Sequence, residues 1–350
     1  MKILHSADWH LCSPLQGRTP EQSQLLRRHL LQLPGKIAAL CRAEGCDMML
    51  LAGDLFDGPC DAEGLNALKN ALEEAAVPVF ITPGNHDFAA ADSPWLTQVF
   101  PKNVHIFTRP VMEAVEIPGL NCRVYGAGFT AMDCPALLED FHAQTDMTAI
   151  GVVHGDPAQS ASPYNPISQA QVAQSGLSYL ALGHIHKGGS FRAGSTLCAW
   201  PGCPMGRGFD EPGEKGVLIV TVDDTVTTRF IPLDTPRFFD LECSPETLDH
   251  LLPPVGNENI YRITLTGESE APDLAALQAA YSRFPYLQLT DKTVPPVDIW
   301  RALGEDSFEG TYFDILHQQL EGADAQTQQQ ILLAAKLSRQ ILDGQEVVLP

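Results

Sequence analysis

Residues 47–58 read DMMLLAGDLFDG, an unbroken apolar run that ends on a glycine and two carboxylates. A short apolar run bounded by turn formers suits a strand buried on both faces, as in a parallel sheet covered by helices. Downstream, AEGLNALKNALEEA (62–75) carries Leu65, Leu68 and Leu72 at spacings of three and four, the apolar face of an amphipathic helix. VPVFIT (77–82) supplies the next apolar run. Strand, helix, strand in this order defines βαβ units and a largely parallel start to a sheet. KIL (2–4) opens the chain as another short strand, and residues 21–43 have helical spacing that Pro34-Gly35 is expected to interrupt.

Further along, NCRVYGAGF (121–129), TAIGVVHGD (148–156) and YLALGHIHKGG (179–189) read as strands, and GVLIVTVDD with VTTRFIPL (216–233) as a hairpin. Few helices separate them, so the second half of the core is expected to be more antiparallel. Two prolines in PLDTPRFFDL (232–241) mark a boundary. The expected organisation is a catalytic domain over residues 1–236 and a smaller α/β domain over 237–350. In the latter, IYRITLTG, PDLAALQAAYSRF and YLQLTD read strand, helix, strand, with Leu274, Leu277 and Tyr281 on one helix face. A last helix over about Thr327–Leu342 places Ile331, Ala334, Ala335, Ser338, Ile341 and Leu342 in one stripe, which internal packing or a partner helix would cover.

The 350 residues are 44% apolar and 19% charged, an ordinary globular balance. No apolar run reaches the length of a membrane span, and MKILHSADWH lacks the apolar region of a signal peptide. Nine cysteines without C-x-x-C pairs read as small buried hydrophobes in a reducing cytoplasm. The net charge of −21 disfavours loose adhesion to nucleic acid or anionic membrane, though a local field can oppose the global one. Between Leu11 and Ala43 the balance reverses: Arg18, Arg27, Arg28, Lys36 and Arg42 face only Glu21. A solvated helix face accounts for that cluster; a contact to a phosphate backbone is the sharper reading.

The chemistry lies where the strands end. KIL leads to Asp8 and His10, MMLLAG to Asp54 and Asp57, and VFITPG to Asn85, His86 and Asp87. AIGVV leads to His154 and Asp156, and YLALG to His184 and His186. Sites in α/β folds collect at the carboxyl ends of strands. Residues two apart on extended chain point to one side, so Asp8 with His10, and His184 with His186, are expected to share a target. Imidazoles, carboxylates and one amide oxygen suit Mn²⁺, Fe or Zn²⁺ more than Ca²⁺. Asp54, the acid that directly ends the central strand, is the natural bridge between two ions. Two such ions clamp an in-line displacement at phosphorus and acidify a shared water. They would also turn an acidic protein locally attractive to phosphate.

The motifs Asp8-Trp9-His10, Gly53-Asp54-Leu55-Phe56-Asp57, Gly84-Asn85-His86-Asp87, His154-Gly155 and Gly183-His184-Ile185-His186 resemble those of the calcineurin-like metallophosphoesterases. The resemblance implies a two-sheet β core flanked by helices. It implies one metal on Asp8, His10, Asp54 and His186 and the other on Asp54, Asn85, His154 and His184. His86 would stabilise charge or protonate the leaving oxygen, with Asp57 orienting it, and a metal-bridging hydroxide would attack phosphorus. More narrowly, HSADWHL, AGDLFDG, SPYNPIS and WPGCPMGRGFDEPGEKGV look like the SbcD and YhaO group of DNA-repair exonucleases, relatives of the Mre nuclease. That group implies a small C-terminal capping domain, action on DNA ends with Mn²⁺, an SbcC/YhaN-like coiled-coil ATPase partner and a homodimer. Two alternatives stand beside it: a phosphatase or small-molecule phosphodiesterase, which the net charge favours, and a weakly active subunit that anchors an ATPase. Trp9 is expected to pack near the metals, His5 to be structural, and Arg207 to be either a phosphate contact or an ordinary surface arginine. His29, His105, His142, His250 and His317 have no companion motif.

Overall fold

The computed structural model describes residues 1–144 and 146–344. Each apolar run becomes a strand, and the strands segregate into two six-stranded sheets and one of three. The first segment supplies β1 (Lys2–Ser6), α1 (Pro20–Ala43), β2 (Met48–Leu51), α2 (Ala62–Ala75), β3 (Val79–Ile81), α3 (Pro94–Thr97) and β4 (Val104–Ile106). β5 (Glu113–Ile117), β6 (Cys122–Ala127), β7 (Thr148–His154), α4 (Gln169–Gln174), β8 (Tyr179–Gly183), β9 (Lys187–Ala193) and β10 (Thr196–Gly202) follow, then β11 (Gly216–Val222) and β12 (Val226–Pro232).

The first sheet has the order β12-β11-β1-β2-β3-β4. Its β1 to β4 pair in parallel, as the βαβ reading requires, and β11 returns antiparallel to β1. The second has the order β5-β6-β7-β8-β10-β9. Its centre is parallel throughout, from β6 to β7, β8 and β10, and only the edge pairs β5–β6 and β9–β10 are antiparallel. The second half is thus more antiparallel than the first, as expected, through its edge pairs and the β11–β12 hairpin, while its central strands are parallel. The crossovers there run through short α4 and irregular chain rather than full helices, so a count of helices underestimates the parallel pairs.

The two sheets share one core. Ile3, Met48, Leu50 and Phe80 meet Val124, Ile150, Val152, Tyr179 and Ala181, all buried. Their neighbours Leu4, Met49, Leu51, Val79 and Ile81 are buried on the opposite face of the first sheet. The buried stripes of α1 (Leu26, Leu30, Leu33, Ile37) and α2 (Leu68, Leu72) supply the cover that such a sheet needs. α1 starts at a Thr19–Gln22 capping box and runs unbroken through Pro34. Pro34 forfeits one ladder hydrogen bond, but it is buried in the same stripe, and packing of that face outweighs the loss.

By contact density the chain divides into two units, Met1–Phe239 with Glu258–Ile260, and Asp240–Asn257 with Tyr261 onward. The second contains β13 (Phe238–Cys243) in its larger part, α5 (Leu248–Leu251), β14 (Ile260–Leu265), α6 (Leu274–Ala280), β15 (Leu287–Asp291), α7 (Phe308–Leu320) and α8 (Ala325–Leu342). Its sheet runs β13-β14-β15, with β14 and β15 parallel across α6. The buried face of α8 differs from the expected stripe: Ala335 and Arg339 are inside, while Ala334, Ile341 and Leu342 are exposed. Arg339 is buried because it pairs with Glu309 and lies 4.2 Å over the Phe313 ring. The last six positions of the expected 237–350 domain lie outside the described residues. Among the nine cysteines, all free, Cys12, Cys60 and Cys243 are partly exposed rather than buried, because they sit in or beside turns. No described helix is long and apolar enough to cross a membrane.

Candidate metal centre

The polar strand ends converge. The chain leaving β1 brings Asp8 and His10, β2 leads to Asp54 and Asp57, and β3 to Asn85 and His86; β7 ends on His154, and β8 leads to His184 and His186. The local geometry is not the extended alternation expected for Asp8 and His10. Asp8, His10, Asp54 and His184 all adopt positive φ, at 55°, 49°, 52° and 91°. Such backbone is uncommon for residues with side chains and persists only where the surroundings over-determine it. Here two turns zip together: Asp8 N–H donates to Gly53 O (3.0 Å), His10 N–H to Asp54 O (3.0 Å) and Leu11 N–H to Leu55 O (2.9 Å). Gly53 turns at φ 89°, and a side chain there would collide with His154; one at Gly84 would collide with the Asp54 carboxylate.

The side chains form two adjoining groups of lone pairs. In one, His154 Nε2 lies 2.9 Å from Asn85 Oδ1 and 3.3 Å from Asp54 Oδ2, and His184 Nδ1 lies 3.1 Å from Asn85 Oδ1. His154 Nδ1 donates to the Ala52 carbonyl (2.9 Å), which leaves Nε2 to face those oxygens as an acceptor. In the other, His10 Nε2 and His186 Nε2 are 3.0 Å apart, and His186 Nδ1 donates to Glu211 Oε1 at 2.6 Å. Asp54 Oδ2 is 4.0 Å from His10 Nε2 and so lies between the groups. The ligand atoms of Asp8, His10 and His186 fall within 4.8 Å of one another, as do those of Asp8, Asp54 and His154.

Buried acceptors facing one another demand a positive charge between them. The titration directions agree. Burial pulls the His154 imidazole down, but the Asp54 carboxylate outweighs it and pushes the group to about 9. Burial likewise opposes charge on His186, and its bond to Glu211 raises it on balance. His10 and His184, by contrast, are held neutral at about 3 and 4, chiefly by burial. Neutral imidazoles beside carboxylates and an amide oxygen are the form in which these residues bind a divalent ion. The residues fit a pair of such ions, with Asp54 between them.

At the rim, His86 Nδ1 donates to Asp57 Oδ1 at 2.8 Å, and this bond raises the imidazole and holds Asp57 down at about 2. Ser13 Oγ donates to Asp57 Oδ2 (2.8 Å). Arg207 is neither free nor a bland surface residue: its guanidinium reaches Asp57 (3.3 Å) and Glu211 (3.1 Å), joining the rim to the support of His186. Trp9 is buried with its indole N–H on Ser6. His5 is buried beneath, between Tyr179 and the Leu182 carbonyl.

Two supporting residues are not assigned by the sequence reading. Asp87 turns away from the cluster and accepts backbone N–H groups of Gly84 (2.6 Å), Leu55 (2.8 Å), Asp54 (3.3 Å) and Phe56 (3.3 Å), binding the β2 and β3 loops together. Its place directly after His86 is a signal, but a turn-forming aspartate reads the same way. Glu211 follows Arg207 at i+4 in a loop without periodicity, and only the tertiary fold brings it to His186.

A family model described as calcineurin-like phosphoesterase matches residues 1–188, so the chain belongs to that family. Its architecture, two multistranded sheets flanked by helices, is the metallophosphoesterase one. Within the family the chain is similar to the uncharacterized metallophosphoesterase YhaO of Bacillus subtilis, 32% identical in an alignment covering 63% of this chain and 57% of that protein. It is also similar to SbcD of the nuclease SbcCD of Bacillus subtilis, 27% identical over 63% of this chain and 66% of that one. It thus spans less than two thirds of either relative's length. A dimetal phosphatase from Danio rerio superposes with a TM-score of 0.46 at 12% identity, over 66% of this chain and 96% of that one.

Proposed function

We propose that this chain is a metal-dependent phosphodiesterase that acts on DNA ends. The observation that carries the reading is the pair of adjoining lone-pair groups with a His86–Asp57 dyad at their edge. Asp8, His10, Asp54 and His186 would hold one ion, and Asp54, Asn85, His154 and His184 the other. Bound there, divalent ions supply Lewis acidity to the phosphoryl oxygens and lower the pKa of water. The chain's own residues do the rest. Asp57 accepts the Nδ1 proton of His86 and favours the imidazolium, whose Nε2 proton is the one offered to the leaving oxygen. Glu211 keeps the His186 ring in one tautomer, and the Asp87 carboxylate fixes the loops that carry Asp54 and Asn85.

DNA as substrate is supported by the similarity to a nuclease component and by the SbcD/YhaO-like segments. The resemblance of its motifs to the SbcD and YhaO group is the ground for also proposing an SbcC/YhaN-like ATPase partner, a homodimer in the cytoplasm, a capping role for residues 237–350 and Mn²⁺ as the ion. The net charge of −21 favours a second reading, a phosphodiesterase for small molecules. The test is metal content measured together with turnover of linear DNA, circular DNA, an aryl phosphodiester and an aryl phosphomonoester. The reading expects about two ions per chain, preference for diesters, and faster loss of linear than circular DNA. Asp54→Asn should lose metal and activity together; His86→Ala should lose activity and keep the metal. Full activity in Asp54→Asn refutes the proposal.

A further inference from the structure

Beside His86 opens a cavity of about 580 Å³, within the usual range for a small-molecule site. Phe56, Phe88, Met132 and Tyr164 contribute its large, mainly apolar side chains. Met132 is 58% exposed at the cavity's edge. Tyr164 is braced against the His184 ring, 5.1 Å between centroids. The charged lining residues besides His86 are carboxylates, among them Asp57 and Asp92, and no lysine or arginine lines the cavity among the described residues. Apart from His86, a continuing phosphate backbone would meet carboxylates and no cationic side chain here. A flat, uncharged ring would meet aromatic side chains and a thioether.

We propose that this cavity is a subsite for one uncharged aromatic alcohol of the nucleoside class, bound as the leaving group of the phosphodiester. The inference rests on the phosphodiesterase reading and narrows its substrate. Water supplies the oxygen that bonds to phosphorus. The P–O bond to the nucleoside breaks, the departing oxygen takes the proton from His86 Nε2, and the attacking water's proton restores His86. The nucleoside has two sources, the last residue of a DNA strand or one half of a dinucleotide.

The experiment has a binding arm and a turnover arm. Thymidine and thymidine 3′,5′-bisphosphate are titrated into the metal-free protein by NMR. Thymidine should bind about tenfold or more tightly, since like charges placed together repel. Met132→Lys should erase or invert that preference, and Phe88→Leu should weaken thymidine by about fivefold or more, the lower end of stacking losses. With metal added, thymidylyl-thymidine should be cleaved faster than the same diester with methyl in place of the leaving nucleoside. That ratio should collapse in Met132→Lys, because only the leaving nucleoside, and not methyl, would occupy the cavity. An oligonucleotide cut faster with a free terminal nucleoside than with a terminal phosphate assigns the source to DNA ends. Cleavage confined to the dinucleotide assigns it to small diesters. Equal binding of the two thymidine probes, or an unchanged ratio in Met132→Lys, overturns the subsite. Absence of wild-type turnover on bis(p-nitrophenyl) phosphate would instead overturn the phosphodiesterase reading, with the binding arm still reporting on the cavity.

Discussion

Lowering the pH from 7 to 5 should destabilise the first unit through His5. This imidazole is fully buried. Its Nε2 donates to Leu182 O at 3.0 Å, and its Nδ1 therefore accepts from the Tyr179 hydroxyl at 2.7 Å. Both nitrogens are satisfied in the neutral form, and burial pushes the group down to about 3. In the unfolded chain it titrates near 6.5. Between these values the unfolded state binds the extra proton, so stability is full above about pH 6.5 and falls as the pH drops. At pH 5, about 1.5 units below the unfolded value, the loss is about 2 kcal/mol. That is a sizeable part of the ~5–15 kcal/mol that holds a domain together. Urea unfolding of wild type and His5→Gln, each at several pH values with chelator present, isolates the effect, because His10 and His184 contribute equally to both curves. His5→Gln should be less stable at pH 7 and should lose about 2 kcal/mol less between pH 7 and 5. Parallel stability curves for the two proteins over that range would refute the reasoning.

Removal of the Asp87 carboxylate should be costly: Asp87→Ala strands the backbone N–H groups of Gly84 and Leu55 and weakens two more, for about 3–6 kcal/mol by denaturant unfolding. A loss below about 1 kcal/mol would show that water replaces the carboxylate freely. Glu211→Gln should lower metal affinity about 10- to 100-fold by isothermal titration, since it weakens the group that orients His186. In the second unit, Arg339→Ala should cost about 2–4 kcal/mol, less than a fully buried pair because Glu309 still reaches solvent. Arg339→Met, which keeps the packing over Phe313, should recover part of that loss.

Local pattern was enough for the first sheet and for the polar strand ends. Apolar runs followed by glycine and acids leave little choice of where a parallel strand stops, and Asp54, Asn85 and His154 follow from that. Pairings between distant strands carry no such mark. Nothing in the alternation of GVLIVTV (216–222) says that it returns beside β1, or that β6, β7, β8 and β10 run the same way. Asp8 and His10 reach the cluster through left-handed turns stabilised by the loop of Asp54, a partner supplied only by the fold. Charge alone would put Arg339 in solvent; its partners Glu309 and Phe313 stand on another helix. Pro34 reads as a helix breaker because the apolar stripe that carries α1 past it is a tertiary interaction.

Asp8, His10, Asp54 and Asn85 hang from one sheet, and His154, His184 and His186 from the other. A cation caged among them is therefore also a rivet between layers, and its binding energy adds to their cohesion. Chelation should lower the melting temperature as well as abolish turnover, and a descendant that gave up hydrolysis would still have reason to keep the cage.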